Sequence, residues 1–448
     1  MAAAYLLALF LVIYFPIVGQ GFVADDFGWI RAARPSIGEA TVNAFSHSTG
    51  FYRPIVSASF GVNHEISGLN PRPYGLTNLG LLLGCAALVG WLATLAGLTP
   101  EFGLFAAALF AFNPHGVDMA VLWVSGRTGL LLTLFSLAAA IAFLKRRPVL
   151  SAGLTFCALL SKEEAVALPL VFFLWAFFEA LGGERPWQAM RAAFQRTQWM
   201  WAAGLVYAAL RLHSGAIWPT NAPSYYRFSA NPNVLLRNAR EYTDRACSLS
   251  VLVAVVVFAL VRSRPSLSPE HKVFLYRCVC WVVGGFALTM FLPVRSSLYA
   301  LFPSVGAALA ATTLTSAWWG QLSILPKRGL IAVALVVPLA LFPVYRSRGA
   351  KWFVAARLSS SVTAQLVQRV AADPDTRAIV LQDDRSDRSN RANLANAFGP
   401  AAPDVANLFF ARPVSLRIEP SPVTQISPGE TLLVLDGQTG QLRLGFVD

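Results

Sequence analysis

Charge is what this sequence has least of. Aspartate, glutamate, lysine and arginine make up 13% of its 448 residues, about half the share of roughly 25% in soluble domains, so a soluble globular protein is excluded. Histidine and cysteine occur five times each. Cys85, Cys157, Cys247, Cys278 and Cys280 all lie in or beside apolar runs, which excludes a disulfide framework in an outer loop and argues against a cysteine zinc site. Cys278 and Cys280 fall on different faces of one helix and read as packing residues. His47, His64, His213 and His271 are scattered, and no histidine–carboxylate spacing has the regularity of a metal site. A cofactor is therefore not required, although a divalent metal on a carboxylate pair stays open. Helical-hairpin repeats are absent as well.

What fills the chain instead is apolar: 56% of residues are hydrophobic, with a mean hydropathy of +0.54. Runs of about 17 to 22 such residues recur, each long enough to cross a hydrocarbon layer of roughly 30 Å as a helix. The pattern predicts an all-α polytopic membrane protein with about eleven transmembrane helices, at 4–20, 76–96, 102–120, 127–144, 148–161, 165–181, 198–213, 247–262, 273–292, 298–317 and 329–345, followed by a small soluble α+β domain. The first run lacks a basic leader and a cleavage site, and is read as a retained helix.

The net charge of +13 would suggest nucleic acid in a soluble protein. Sorted by loop, the basic residues remove that reading: Lys145 to Arg147, then Arg185, Arg191 and Arg196, then Arg262, Arg264, Lys272 and Arg277, then Lys327 and Arg328 fall in alternate connections. Those are the inner loops by the positive-inside rule. The amino terminus is then inside, whereas loops 21–75 and 214–246 and the C-terminal region are outside. The long first loop is expected to hold short amphipathic helices, as at Ile55 to Val62, along the membrane surface. The second carries Tyr225 to Phe228 with Arg237, Arg240 and Arg245, suited either to a lipid phosphate or to an aromatic headgroup belt.

We divide the chain into a membrane module, 1–345, and a soluble domain, 346–448. The latter should contain a helix near 355–372 and strands at 378–381, 414–418, 431–435 and 442–447, with a turn at Asp436-Gly437.

The polar motifs gather on the outer face. Ala24-Asp25-Asp26-Phe27-Gly28-Trp29 leaves the first helix; Phe51-Tyr52-Arg53-Pro54 and Leu69-Asn70-Pro71-Arg72-Pro73 precede the second. Asn113-Pro114-His115-Gly116-Val117-Asp118 leads to Trp123-Val124-Ser125-Gly126-Arg127, and Ser161-Lys162-Glu163-Glu164 marks another helix junction. Arg295 to Gly306 closes the set. In this order they resemble the GT-C superfamily of glycosyltransferases, which draw on polyprenyl-phosphate sugars, and within it the membrane module of the transmembrane and tetratricopeptide repeat-containing O-mannosyltransferases and their bacterial relatives. The resemblance covers roughly 15–310; a tetratricopeptide array is absent from this sequence.

Such a resemblance implies a transfer of sugar from a polyprenyl-phosphate-linked donor to a hydroxyl on a protein, lipid or envelope glycan, with inversion. Asp25 would be the base, with Asp26 orienting it or binding acceptor. Arg53, Arg127, Lys162 and Arg295 are the candidates for the donor phosphate, since guanidinium matches phosphate oxygens and lysine serves as a point charge. For the arginines, contact with lipid headgroups is the alternative; for Lys162 and Glu163 it is a simple ion pair. Tyr52, His115, Asp118, Glu163 and Tyr299 are weaker substrate candidates. Alanine- and arginine-rich composition points to a bacterial inner membrane and a periplasmic site. A flippase of lipid-linked glycans and a non-catalytic envelope assembly partner are the competing functions. Partners are thus the lipid donor, the bilayer and an unidentified acceptor, without nucleic acid.

Overall fold

A computed structural model describes the chain except residues 47–50, 184, 217–225, 262–266, 385–392, 421, 422, 424, 437 and 446–448. His47, Tyr225, Arg262, Arg264, Gly437 and the end of the last expected strand lie outside the described residues. Many helices open on proline: Pro54, Pro71, Pro100, Pro148, Pro186, Pro232 and Pro269 each stand at a first turn. There the missing N–H costs nothing and the fixed φ suits the helix. Asn70, Asn231 and Ser268 cap three of these with side-chain acceptors, as N-cap residues should.

The chain is a multi-pass membrane protein. Six described helices are long and apolar enough to cross a bilayer: Pro71–Leu95, Val124–Leu144, Glu163–Leu181, Pro232–Leu260, Ser297–Trp319 and Ile324–Ala372. Ala2–Tyr14, Pro100–Ala111 and Pro148–Leu159 are apolar but shorter. The other two expected spans fall on the helices Pro186–His213 and Pro269–Phe286.

Three expectations are corrected. The first helix ends at Tyr14 and gives way to a 3-10 turn, Phe15–Ile17, around Pro16, not reaching residue 20. The span expected at 102–120 ends at Ala111, and a separate short helix, Val117–Leu122, follows; Pro114 cannot continue a helix. The loop expected at 214–246 is helical from Pro232 onward.

Three helices, Asp25–Ala33, Ile37–Ser46 and Pro54–Ser67, fill the long first loop. The helix Phe342–Ala372 runs unbroken through the expected domain boundary at 345/346. Beyond it lies a four-stranded sheet of β1 (Ala378–Asp383), β2 (Ser415–Ile418), β3 (Glu430–Leu435) and β4 (Leu442–Leu444), ordered β2-β1-β3-β4. β1 is parallel to both neighbours, and β4 is antiparallel to β3.

Two cores matter for the site. One joins the membrane helices. The other is shared: Phe22, Phe27, Ile30, Val56, Phe60 and Tyr74 of the first-loop region pack into the same cluster as Leu358, Val362, Leu381, Phe398 and Val405 of the C-terminal region. The C-terminal region and the first-loop helices are therefore one packed body.

Candidate active site

Asp25 and Asp26 open the helix Asp25–Ala33, in its first turn, where unpaired N–H groups and the helix dipole favour negative charge. Their surroundings differ. Asp26 is 1% exposed; Oδ2 accepts from the Val23 N–H at 2.9 Å, and Oδ1 from the Ser125 N–H at 2.7 Å and the Ser125 hydroxyl at 2.5 Å. Burial pushes its carboxyl up to about 7 despite these donors. Asp26 thus ties the helix to the Ser-Gly-Arg turn. Gly126 is needed in that turn, because a Cβ there would lie 2.7 Å from the backbone of Ala120.

Asp25 has no hydrogen-bond or ion-pair partner among the described residues and keeps solvent contact. The protein packed around it still raises its carboxyl above the ordinary range, against the pull of Arg53. An unpaired, solvent-reachable carboxylate with a raised pKa is what a general base requires.

Arg53 precedes the helix Pro54–Ser67 and grips Glu163 in a fork, Nη2 to Oε2 at 2.7 Å and Nε to Oε2 at 3.1 Å. Burial alone would lower the Arg53 pKa, but Glu163, with Glu164 and Tyr299 behind it, holds the guanidinium charged. Arg211 approaches the same Glu163 at 3.8 Å. Lys162 is 4% exposed, pairs with Glu164 at 2.7 Å and lies 4.8 Å from the ring centre of Tyr299. Arg53, Lys162, Glu163 and Tyr299 therefore form one cluster, and Asp25 feels the charge of Arg53.

Arg295 pairs with Glu241, which Arg237 and Arg245 also flank at 3.1 Å each. Tyr242 packs edge-on against Tyr299 at 6.1 Å, linking this second cluster to the first. The His115 Nδ1 meets the Arg348 guanidinium at 2.8 Å, and Arg348 also donates to the Pro114 carbonyl. The side chain of Asp118 lies outside the described residues. Tyr52 is buried against Tyr207 with centroids 6.2 Å apart, a packing position.

Arg127 is fully enclosed. Nε donates to Asn78 Oδ1, Nη1 to the Ser59 carbonyl and Nη2 to the Tyr74 carbonyl, each at 3.0 Å, and the guanidinium lies 4.5 Å from the Phe60 ring centre. In this setting it cross-links helices, and at 0% exposure it lies out of reach of solvent. Arg127→Lys should lower stability by about 2–4 kcal/mol, because one ammonium cannot satisfy three separately placed acceptors; thermal unfolding of the purified variant checks this.

Asp26 makes a second test. Its folded pKa is raised, so the protonated form favours the fold. Its contribution is complete below the unfolded value near 3.8 and is lost as pH rises through about 7. The melting temperature should therefore fall between about pH 4 and pH 7 and level off above that, and Asp26→Asn should flatten that slope.

Ser125, Asn78, Glu241, Arg211 and Arg348 join the site without being among the candidate residues named from the sequence. The Ser-Gly-Arg motif is a signal for Ser125; Arg348 carries none, because it arrives from a distant helix. Among the described residues no three His, Cys, Asp or Glu side chains converge as a metal site.

No family model matches the chain. Over 202 residues it is 31% identical to protein O-mannosyl-transferase Tmtc1 of Drosophila melanogaster, a stretch covering 40% of this chain and 23% of that protein. The chain thus spans less than a quarter of the length of the curated relative it matches. This likeness agrees with the resemblance to O-mannosyltransferases read from the motifs. The crystal structure of ArnT from Cupriavidus metallidurans bound to undecaprenyl phosphate overlays with a TM-score of 0.46 at 14% identity, covering 83% of this chain and 72% of that one.

Proposed function

We propose that the protein is a GT-C glycosyltransferase of the bacterial inner membrane that moves one sugar from a polyprenyl-phosphate donor to a hydroxyl acceptor on the outer, periplasmic face. The observation that carries this reading is the division of labour in the carboxylate pair: Asp26 is locked by three hydrogen bonds, while Asp25 stands unpaired with a raised pKa beside the Arg53–Glu163 fork. The partial likeness to an O-mannosyl-transferase supports it.

In the proposed step the acceptor oxygen attacks the anomeric carbon as its proton passes to Asp25. The bond from that carbon to the phosphate oxygen breaks on the opposite side, so the configuration inverts and the carrier departs as its phosphate. Arg53 and Arg295 suit the leaving phosphate. Arg53 engages Glu163 through Nε and Nη2, and Arg295 engages Glu241 through Nη1, which leaves further N–H donors on each. Lys162 adds charge to the same cluster. Arg127, fully enclosed between the helices it cross-links, is left out of the phosphate set. No metal enters this scheme.

Mass spectrometry of envelope glycans and glycoproteins, in strains lacking and re-supplied with the gene, tests the proposal. One sugar should disappear and return. Accumulation of a complete lipid-linked glycan instead would favour a flippase, and a general loss of assembled polymer an assembly partner.

A further inference from the structure

At the far end of the helix that begins beside Glu163 stands a third charged cluster, which the proposed reaction does not use. Glu179 lies 16 residues on, roughly 24 Å away at 1.5 Å per residue, close to the thickness of a hydrocarbon layer. Three arginines from three other segments converge on it. Arg146 follows the helix Arg127–Leu144 and reaches Oε1 at 2.5 Å; Arg196, on Pro186–His213, and Arg277, on Pro269–Phe286, reach Oε2 at 2.9 and 2.6 Å.

Among the described residues one carboxylate faces three guanidiniums, so the described cluster carries two positive charges in excess. It also keeps unsatisfied donors: the Nε atoms of Arg196 and Arg277 are buried with no acceptor among the described residues. Buried N–H groups are costly to leave unpaired. Arg146 adds a third sign, since its φ of +57° is a left-handed conformation in which glycine is the usual helix-terminating residue. A purely structural staple would need neither the surplus charge nor an arginine there. By the loop charges, this is the inner face, where anionic headgroups collect.

We propose that Arg146, Arg196 and Arg277 form a binding site for the phosphate of an anionic lipid on the face opposite Asp25. A phosphate supplies the missing negative charge and several acceptor oxygens, and guanidinium forks match it. The site is independent of the transfer chemistry.

The test follows thermal unfolding of the full-length purified protein in detergent, titrated with phosphatidylglycerol, phosphatidylcholine or inorganic phosphate. Phosphatidylglycerol should raise the melting temperature and phosphatidylcholine should not. Arg196→Gln should weaken the phosphatidylglycerol effect about fivefold, the worth of one basic residue at an anionic surface. Should that variant not fold, Arg146→Gln serves, because its side chain is 65% exposed. Equal stabilisation by both lipids, or an undiminished phosphatidylglycerol effect in the variants, overturns the site. Stabilisation by inorganic phosphate alone would keep the phosphate chemistry and overturn the lipid as its source.

Discussion

Replacing Asp25 by asparagine should lower the transfer rate by about 10²–10⁴-fold, the usual contribution of a positioned base, while the protein folds and binds donor as before. The structure separates this residue from its neighbour. Asp26→Asn would disturb three hydrogen bonds that hold the helix Asp25–Ala33 to the turn at Ser125, whereas Asp25→Asn would disturb none among the described residues. The pH profile supplies an independent check. A base works when deprotonated, so the rate should climb as pH rises through the Asp25 pKa, which the protein packed around this solvent-reachable carboxyl raises above the ordinary carboxylate value. The two adjacent groups titrate as a pair, so the profile reports apparent values of the pair rather than of one residue. Asp25→Asn should abolish most of the rate, and Asp26→Asn should move the profile and lower stability. Full turnover in Asp25→Asn would remove the base assignment, and with it the strongest support for a transferase over a flippase.

How far the sequence discloses this site follows from where each signal resides. Apolar runs depend on composition alone, so the helices are legible as segments, and the strands at 378–381 and 431–435 stand out by their β-branched and leucine runs. Helix ends are less so. Pro16 and Pro114 stop helices whose apolar character continues past them, and apolarity is the quantity that marks a span. The polar half of Pro232–Leu260 reads as loop, since Arg237, Arg240 and Arg245 carry no membrane signal, yet its Asn231 cap and Pro232 start mark a helix. Asp25, Arg53, Lys162 and Glu163 are visible because each lies in a short motif. The burial of Arg127 is not: its acceptors include the carbonyls of Ser59 and Tyr74, and backbone acceptors leave no trace in side-chain identity. Glu241 and Arg348 are hidden for a related reason, being long-range partners from helices that look ordinary by themselves.

The C-terminal domain carries the other large expected effect. Phe398→Ala should destabilise the protein by about 3–5 kcal/mol, the range for deleting a buried aromatic ring, and should lower the transfer rate of the folded protein as well. The reason is the shared core. Phe398 is fully buried and packs against Phe27 with ring centroids 5.8 Å apart; Phe409 meets the same Phe27 at 6.3 Å. The Ala24 N–H, immediately before the carboxylate pair, donates to the Ala397 carbonyl at 2.9 Å, Arg31 pairs with Asp404 at 2.5 Å, and Arg34 reaches the Asn407 carbonyl. Ala24 itself is held at φ +50°, a strained conformation for alanine that persists only where neighbours enforce it. Its enforcing contact comes from the C-terminal domain. The domain therefore sets the direction in which Asp25 leaves the backbone, and a cavity at Phe398 should loosen that direction before it unfolds the chain. Measured well below the melting temperature, Phe398→Ala should show a reduced kcat with the donor KM little changed, because Arg53, Lys162 and Arg295, the residues proposed to face the phosphate, lie on other elements. An unaltered kcat in a destabilised Phe398→Ala protein would mean that the domain stabilises the helix without orienting its carboxylate.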